Sequence, residues 1–247
     1  MFSEIFPDPS MLFRFKIDIQ RLQNQVLDFS DVDHWGLNST YRMPPIEQLG
    51  GQEHPIDAKL AWNEQGLFLQ IDMTVNDGYP VVLSQRSHTV DVMVNTRYNR
   101  KIQRENAFCA SFSFFRTPFF RRTRYADPKS GAQRMLANIK SPRPHQDQTE
   151  DPNQAAIVGW ARAWDSGLTS WVRISPQAMH EFRPDEFPDI GLYFRSTISH
   201  YDDPTANRKP HQESSMVHRQ KISDRDIPSL YTHCRLIEPS PNKEPRS

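Results

Sequence analysis

Apolar and polar residues alternate with a period of two in run after run of this chain. In MLFRFKIDI, residues 11–19, Met11, Phe13, Phe15, Ile17 and Ile19 fall on one side, and Arg14, Lys16 and Asp18 on the other. A strand sends successive side chains to opposite faces, so the run predicts a half-buried strand. GLFLQIDMTV, from Gly66, repeats the pattern with Leu67, Leu69, Ile71, Met73 and Val75 turned inward. TVDVMVN gives Val90, Val92 and Val94, and AFCASFSFF gives Phe108, Ala110, Phe112 and Phe114. Further strands are predicted at 155–164, 168–174, 190–198, 215–222 and 230–237. The i, i+3, i+4, i+7 spacing of an amphipathic helix hardly occurs.

One short helix is predicted at 175–182, where Ser175 suits the cap, Pro176 the first helical position, and Met179 and Phe182 lie three apart. Long loops are expected at 116–153, rich in Arg, Pro, Gln and Asp, and at 199–214. Residues 239–247 read as a disordered tail. The expected architecture is therefore all-β: a two-sheet antiparallel β-sandwich, jelly-roll-like, in one domain over 1–238, with one short helix and long loops.

Composition adds limits. Thirty basic residues balance 30 acidic ones, and the pI is about 7.1, so no overall field draws the chain to nucleic acid or to an anionic membrane. Twenty prolines against 9 glycines make the connections stiff. Glu4, Pro7, Asp8 and Pro9 interrupt the N-terminus where a secretory leader needs an apolar run, so the expectation is a soluble, cytoplasmic protein. Cys109 and Cys234 stand in no metal or redox motif and read as reduced, half-buried core residues, with a bridge between them left open.

The strongest candidate for chemistry is GWARAWDSGLTSWVRIS, residues 159–175. A hairpin turning at Ser166 and Gly167 pairs Trp160 with Arg173, Arg162 with Trp171 and Trp164 with Thr169. One face is then Gly159, Ala161, Ala163, Leu168, Ser170, Val172 and Ile174. The other carries Trp160, Arg162, Trp164, Trp171 and Arg173, with Trp62 as an outlying candidate. Indole faces stack on the C–H side of sugar rings and guanidinium groups donate to hydroxyls, so this face suits a carbohydrate or another polar small ligand. The competing reading has a long loop over the face and the rings serving as packing.

Elsewhere the signals are weaker. Residues 95–125 set eight Arg or Lys against Glu105 among aromatics, a pattern that can bind single-stranded nucleic acid but also marks a strand with solvated flanks; the zero net charge favours the second. His200, His211 and His218 lack zinc spacing. No cofactor motif occurs; Asp77, Asp202 and Asp203 are the oxygen donors a calcium ion would use. G-x-S-x-G, G-x-x-x-x-G-K-[ST] and H-E-x-x-H are absent, and no catalytic residue is assigned.

DAKLAWNEQGLFLQIDMTVND (57–77), HTVDVMVNTRYNR (88–100), SWVRISPQAM with PDEFPDIGLYFRSTI, and PSLYTHCRLIE together resemble the family 9 carbohydrate-binding modules and the wider DOMON-like β-sandwiches. The resemblance spans about 55–237, with Asn95 in place of the Asp of the family's "DTR" strand end. It implies a jelly-roll-like sandwich and, in some members, sugar held between tryptophans or haem held by side chains. The resulting expectation is a non-catalytic, carbohydrate-binding-module-like protein. The alternatives are a DOMON-type haem-binding electron carrier with a Met or His axial ligand, and an interaction domain whose 116–153 loop docks a partner.

Overall fold

Among the described residues the alternation in the sequence becomes twelve strands: β1 (Lys16–Arg21), β2 (Ile56–Asn63), β3 (Gly66–Thr74), β4 (Arg86–Asn95), β5 (Cys109–Arg116), β6 (Gln133–Arg134), β7 (Leu136–Lys140), β8 (Ile157–Trp164), β9 (Gly167–Ile174), β10 (Asp189–His200), β11 (Gln212–Ser215) and β12 (Thr232–Ile237). The computed structural model describes residues 16–23, 32, 35, 37–44, 56–74, 86–99, 101, 106–116, 132–140, 155–164, 166–200, 212–215 and 232–239. Asp77, Asp202, Asp203, His211, His218, the strand expected beyond 215 and nearly all of the tail lie outside them.

Laterally the strands run β6-β8-β9-β3-β2-β1-β12-β10-β4-β5-β7, with β11 beside β10. One sheet thus folds over into two facing layers. At one corner β1 pairs in parallel with β12 over Lys16–Gln20 and with β2 at Gln20 and Arg21, passing from one layer to the other. At the opposite corner the run from Gln133 to Lys140 does the same: β6 pairs with β8, Met135 N–H donates to the Gly159 carbonyl at 2.8 Å, and β7 pairs with β5. Joining both ends of the sheet in this way covers part of the edges that would otherwise invite another chain. These strands lie inside the segment expected to be a loop at 116–153. Likewise the 199–214 loop yields its first two residues to β10 and its last three to β11.

The core forms where the inward residues of the two layers meet. Leu60, Leu67, Leu69, Ile71, Val172 and Ile174 from one layer face Val90, Val92, Val94, Phe112, Phe114 and Phe194 from the other. Each such side chain is worth about 1.5–3 kcal/mol of burial as an upper bound. Close approach is visible at Gly159, where a Cβ would come within 2.7 Å of Phe114 Cδ1. The helix expected at 175–182 is a single 3-10 turn, Pro176–Ala178, whose cap residue Ser175 makes no side-chain cap bond. Ala178 and Met179 still drop into the core, with Phe182 packed against it. Both cysteines are free and fully buried rather than half-buried.

Candidate functional site

The outward residues of β8, β9, β3 and β2 share one sheet face. The hairpin pairs Trp164 with Gly167, Arg162 with Thr169 and Trp160 with Trp171, two residues away from the register expected for a turn at Ser166 and Gly167. A shift of two preserves which face each side chain takes, so the division into inward and outward residues holds. Across β9 the pairing continues from Thr169 to Asp72 and from Trp171 to Gln70, and on to Asp57 and Lys59 in β2. An isolated bridge then sets Arg42 beside Lys59.

Half of this face is covered. Leu22, Val32, Trp35, Leu37, Ala132 and Ala155 pack on Ala61, Phe68, Val158, Trp160 and Trp171 to make a second apolar core. Trp35 meets Phe68 edge-on, 5.9 Å between ring centres. Trp160, Trp171 and Arg173 are each only 4% exposed. The expected five-residue open platform is corrected accordingly: chain from distant parts of the sequence lies over these two indoles, and they are packing.

Arg173 donates from Nη2 to the Ala155 carbonyl, which ties the cover down. Burial and then the nearby Arg134 guanidinium lower its pKa to about 10. Trp62 is corrected too. It points between the layers, with its indole N–H shared by the carbonyls of Ile19 at 3.0 Å and Ile237 at 3.3 Å.

The other half of the face is open and polar. Trp164 is 39% exposed and lies over Gly167, where a Cβ would come within 2.4 Å of Cζ2 and 2.5 Å of Cη2. Glycine is what lets the indole lie down on the strand. Beside it, the Arg162 guanidinium sits 5.1 Å from the Trp171 ring centre.

Asp72 anchors the row. Its Oδ1 accepts from Thr169 Oγ1 at 2.7 Å, and its Oδ2 accepts from Gln70 Nε2 at 3.0 Å and faces Lys59 Nζ at 3.5 Å. A carboxylate offers about four acceptor sites, so about one is left for an incoming hydroxyl. Further out, Arg42 Nε donates to Asp57 Oδ1 at 2.8 Å. The charges on this half alternate in sign and pair locally, which suits a neutral polyhydroxyl ligand better than a highly charged one.

Sequence reasoning missed Asp72, Gln70, Lys59 and Arg42. The first three stand on the outward sides of β2 and β3, to which the sequence reading gave no role. Their cross-strand meeting depends on pairings that a single sequence does not display.

A second aromatic and charged group caps one end of the sandwich. The Arg97 guanidinium lies between Phe187, 3.4 Å from its ring centre, and Phe108, 5.4 Å away, and Phe108 stacks on His180. Arg97 also donates to the Glu181 carbonyl at 2.9 Å and carboxylate at 3.1 Å, holding Glu181 at φ 51°. These bonds fix the loop after the 3-10 turn. Among the described residues no three His, Cys, Asp or Glu side chains group as metal ligands, and no helix is long and apolar enough to cross a membrane.

No protein-family model matches the sequence, and no curated protein matches it. Among solved structures, a family 9 carbohydrate-binding module from Caldicellulosiruptor kristjanssonii in complex with cellotriose aligns with 93% of this chain and 97% of its own, at TM-score 0.51 and 12% identity. In fold, this chain is similar to a family 9 carbohydrate-binding module. A structure of a family 9 module from the same organism in complex with glucose aligns with 94% of this chain and 100% of its own, at TM-score 0.49 and 12% identity. The strand pattern that suggested this family in the sequence thus has its counterpart in three dimensions.

Proposed function

We propose that this chain is a non-catalytic carbohydrate-binding module whose sugar rests on the Trp164 indole. The observation that carries this reading is the indole itself, laid over Gly167 with its outer side to solvent and bordered by Arg162 and the Asp72 row. An aromatic face meets the C–H side of a pyranose, and forked donors with a partly occupied carboxylate meet its hydroxyls. The similarity in fold to a module bound to cellotriose supports the same class of ligand.

Titration calorimetry against glucose and the cello- and xylo-oligosaccharides tests the reading. Wild-type protein should bind at least one of them, and Trp164→Ala should weaken binding at least about tenfold, or about 1.4 kcal/mol, with an unchanged melting temperature. Equal affinity of wild type and Trp164→Ala would refute it.

A further inference from the structure

The open half of the face is longer than one sugar ring needs. From Gly167, beneath the indole and paired with Thr74, the outward positions run diagonally through Thr169 to its partner Asp72 on β3, across to Asp57 on β2, and on to Lys59 with the bridged residue Arg42, whose guanidinium reaches back to Asp57. Neighbouring strands lie about 4.8 Å apart and successive outward residues about 6.8 Å apart along a strand, so the diagonal from Gly167 to Asp57 spans about 12 Å, and the Arg42 guanidinium on Asp57 carries it further. A single pyranose lying on Trp164 reaches only the next strand. The rest of the span is polar throughout: the Asp72 carboxylate with Lys59 beside it, then the Asp57 carboxylate with the exposed Arg42.

Arg42 gives one of its five N–H donors to Asp57, and the remaining ones are available to an acceptor. The apolar cover over Trp160 and Trp171 borders this strip on one side, so a ligand is guided across the strands.

Resting on the carbohydrate reading of Trp164, we infer that the site takes an extended neutral oligosaccharide laid across β9, β3 and β2, with its first ring on Trp164, a middle ring over Asp72 and a far ring at Asp57 and Arg42. The ligand class is thus a glycan of about three rings held along its length, with no requirement for a free chain end. Affinity then accumulates ring by ring, because each added ring meets a new pair of donor and acceptor.

The full chain is titrated with glucose, cellobiose, cellotriose and cellotetraose, and with the matching xylo-oligosaccharides. Affinity should climb at each step to the trisaccharide and level off at the tetrasaccharide. Arg42→Ala should weaken trisaccharide binding about tenfold and leave monosaccharide binding unchanged. Arg42→Gln, which keeps donors at that place, should recover part of the loss; thermal melting of both variants separates misfolding from loss of contact. Glucose binding as tightly as cellotriose, with Arg42→Ala silent, overturns the extended site and leaves the sugar on Trp164 standing. A trisaccharide whose binding falls when its reducing end is oxidised overturns the side-on arrangement. Absence of binding across both series removes the carbohydrate reading and this inference together.

Discussion

Gly167 lies directly beneath the Trp164 indole, so close that one added methyl group would meet Cζ2 at 2.4 Å. The same methyl would come within 2.3 Å of the Met73 carbonyl on the neighbouring strand. An alanine there must therefore displace the ring and disturb the β3–β9 pairing together.

The three outward tryptophans of the hairpin should separate cleanly on mutation. Trp160→Ala and Trp171→Ala each empty part of the second core and should cost about 3–5 kcal/mol. Trp164→Ala, on the open half of the face, should stay within about 0.5 kcal/mol of wild type. Urea unfolding of the three variants checks this ordering; similar losses in all three would mean that Trp164 is packing as well.

Trp62 fastens β1 and β12 through one shared indole proton. Trp62→Phe keeps most of the apolar bulk but leaves the Ile19 and Ile237 carbonyls without that donor. The expected loss is about 1–3 kcal/mol, read by chemical denaturation. Amide exchange should accelerate more in β1 and β12, which the indole proton ties together, than in β4 and β5.

Acid should loosen the same corner of the fold. Burial pushes the Asp189 carboxyl upward, but hydrogen bonds from Lys16 and His233, together with their charges, outweigh it and hold its pKa below the ordinary value. A carboxyl with a depressed folded pKa lends stability above its unfolded pKa and loses it as pH falls through the folded value. The contribution is therefore complete at neutral pH and drains away below about pH 4. Melting temperature followed from pH 7 to pH 2 should fall less steeply for Asp189→Asn than for wild type.

Both thiols should be silent in the folded protein. Cys234 is fully buried and its pKa is raised by that burial; Cys109 is buried at the start of β5. A thiol-disulfide reagent should find no rapidly reacting group in native protein and the full two groups in denaturant. No reacting group after denaturation without reductant, the count a Cys109–Cys234 bridge would give, would contradict the free-cysteine state.

Which side of β1, β3 and β4 faces the core was legible, because period two is a local property. Ile17, Ile19, Leu67, Leu69, Ile71, Val90, Val92 and Val94 all turn inward as the alternation predicts. What covers an outward face was not, since Trp35 and Phe68 meet only after 32 intervening residues have folded back. The hairpin register was misjudged because the turn was placed one residue late, and in a two-stranded pairing that slides every partner by two.

The strand run at 133–140 did leave a trace, with Met135, Ala137 and Ile139 alternating inside a stretch dominated by Pro, Gln and Arg. Its surroundings masked it. At the site, the Trp164 side of the face was readable from one strand, whereas the Asp72 row needed four chain segments brought abreast.

The run from Gln133 to Lys140 behaves like a hem stitched to both margins of the same cloth. A protease cut within it would leave every other seam in place yet bare β8 and β5 at once. Two long, apolar-backed margins on one molecule would seek each other on the next. The nicked protein should therefore assemble into aggregates before it unfolds, and the intact one should not.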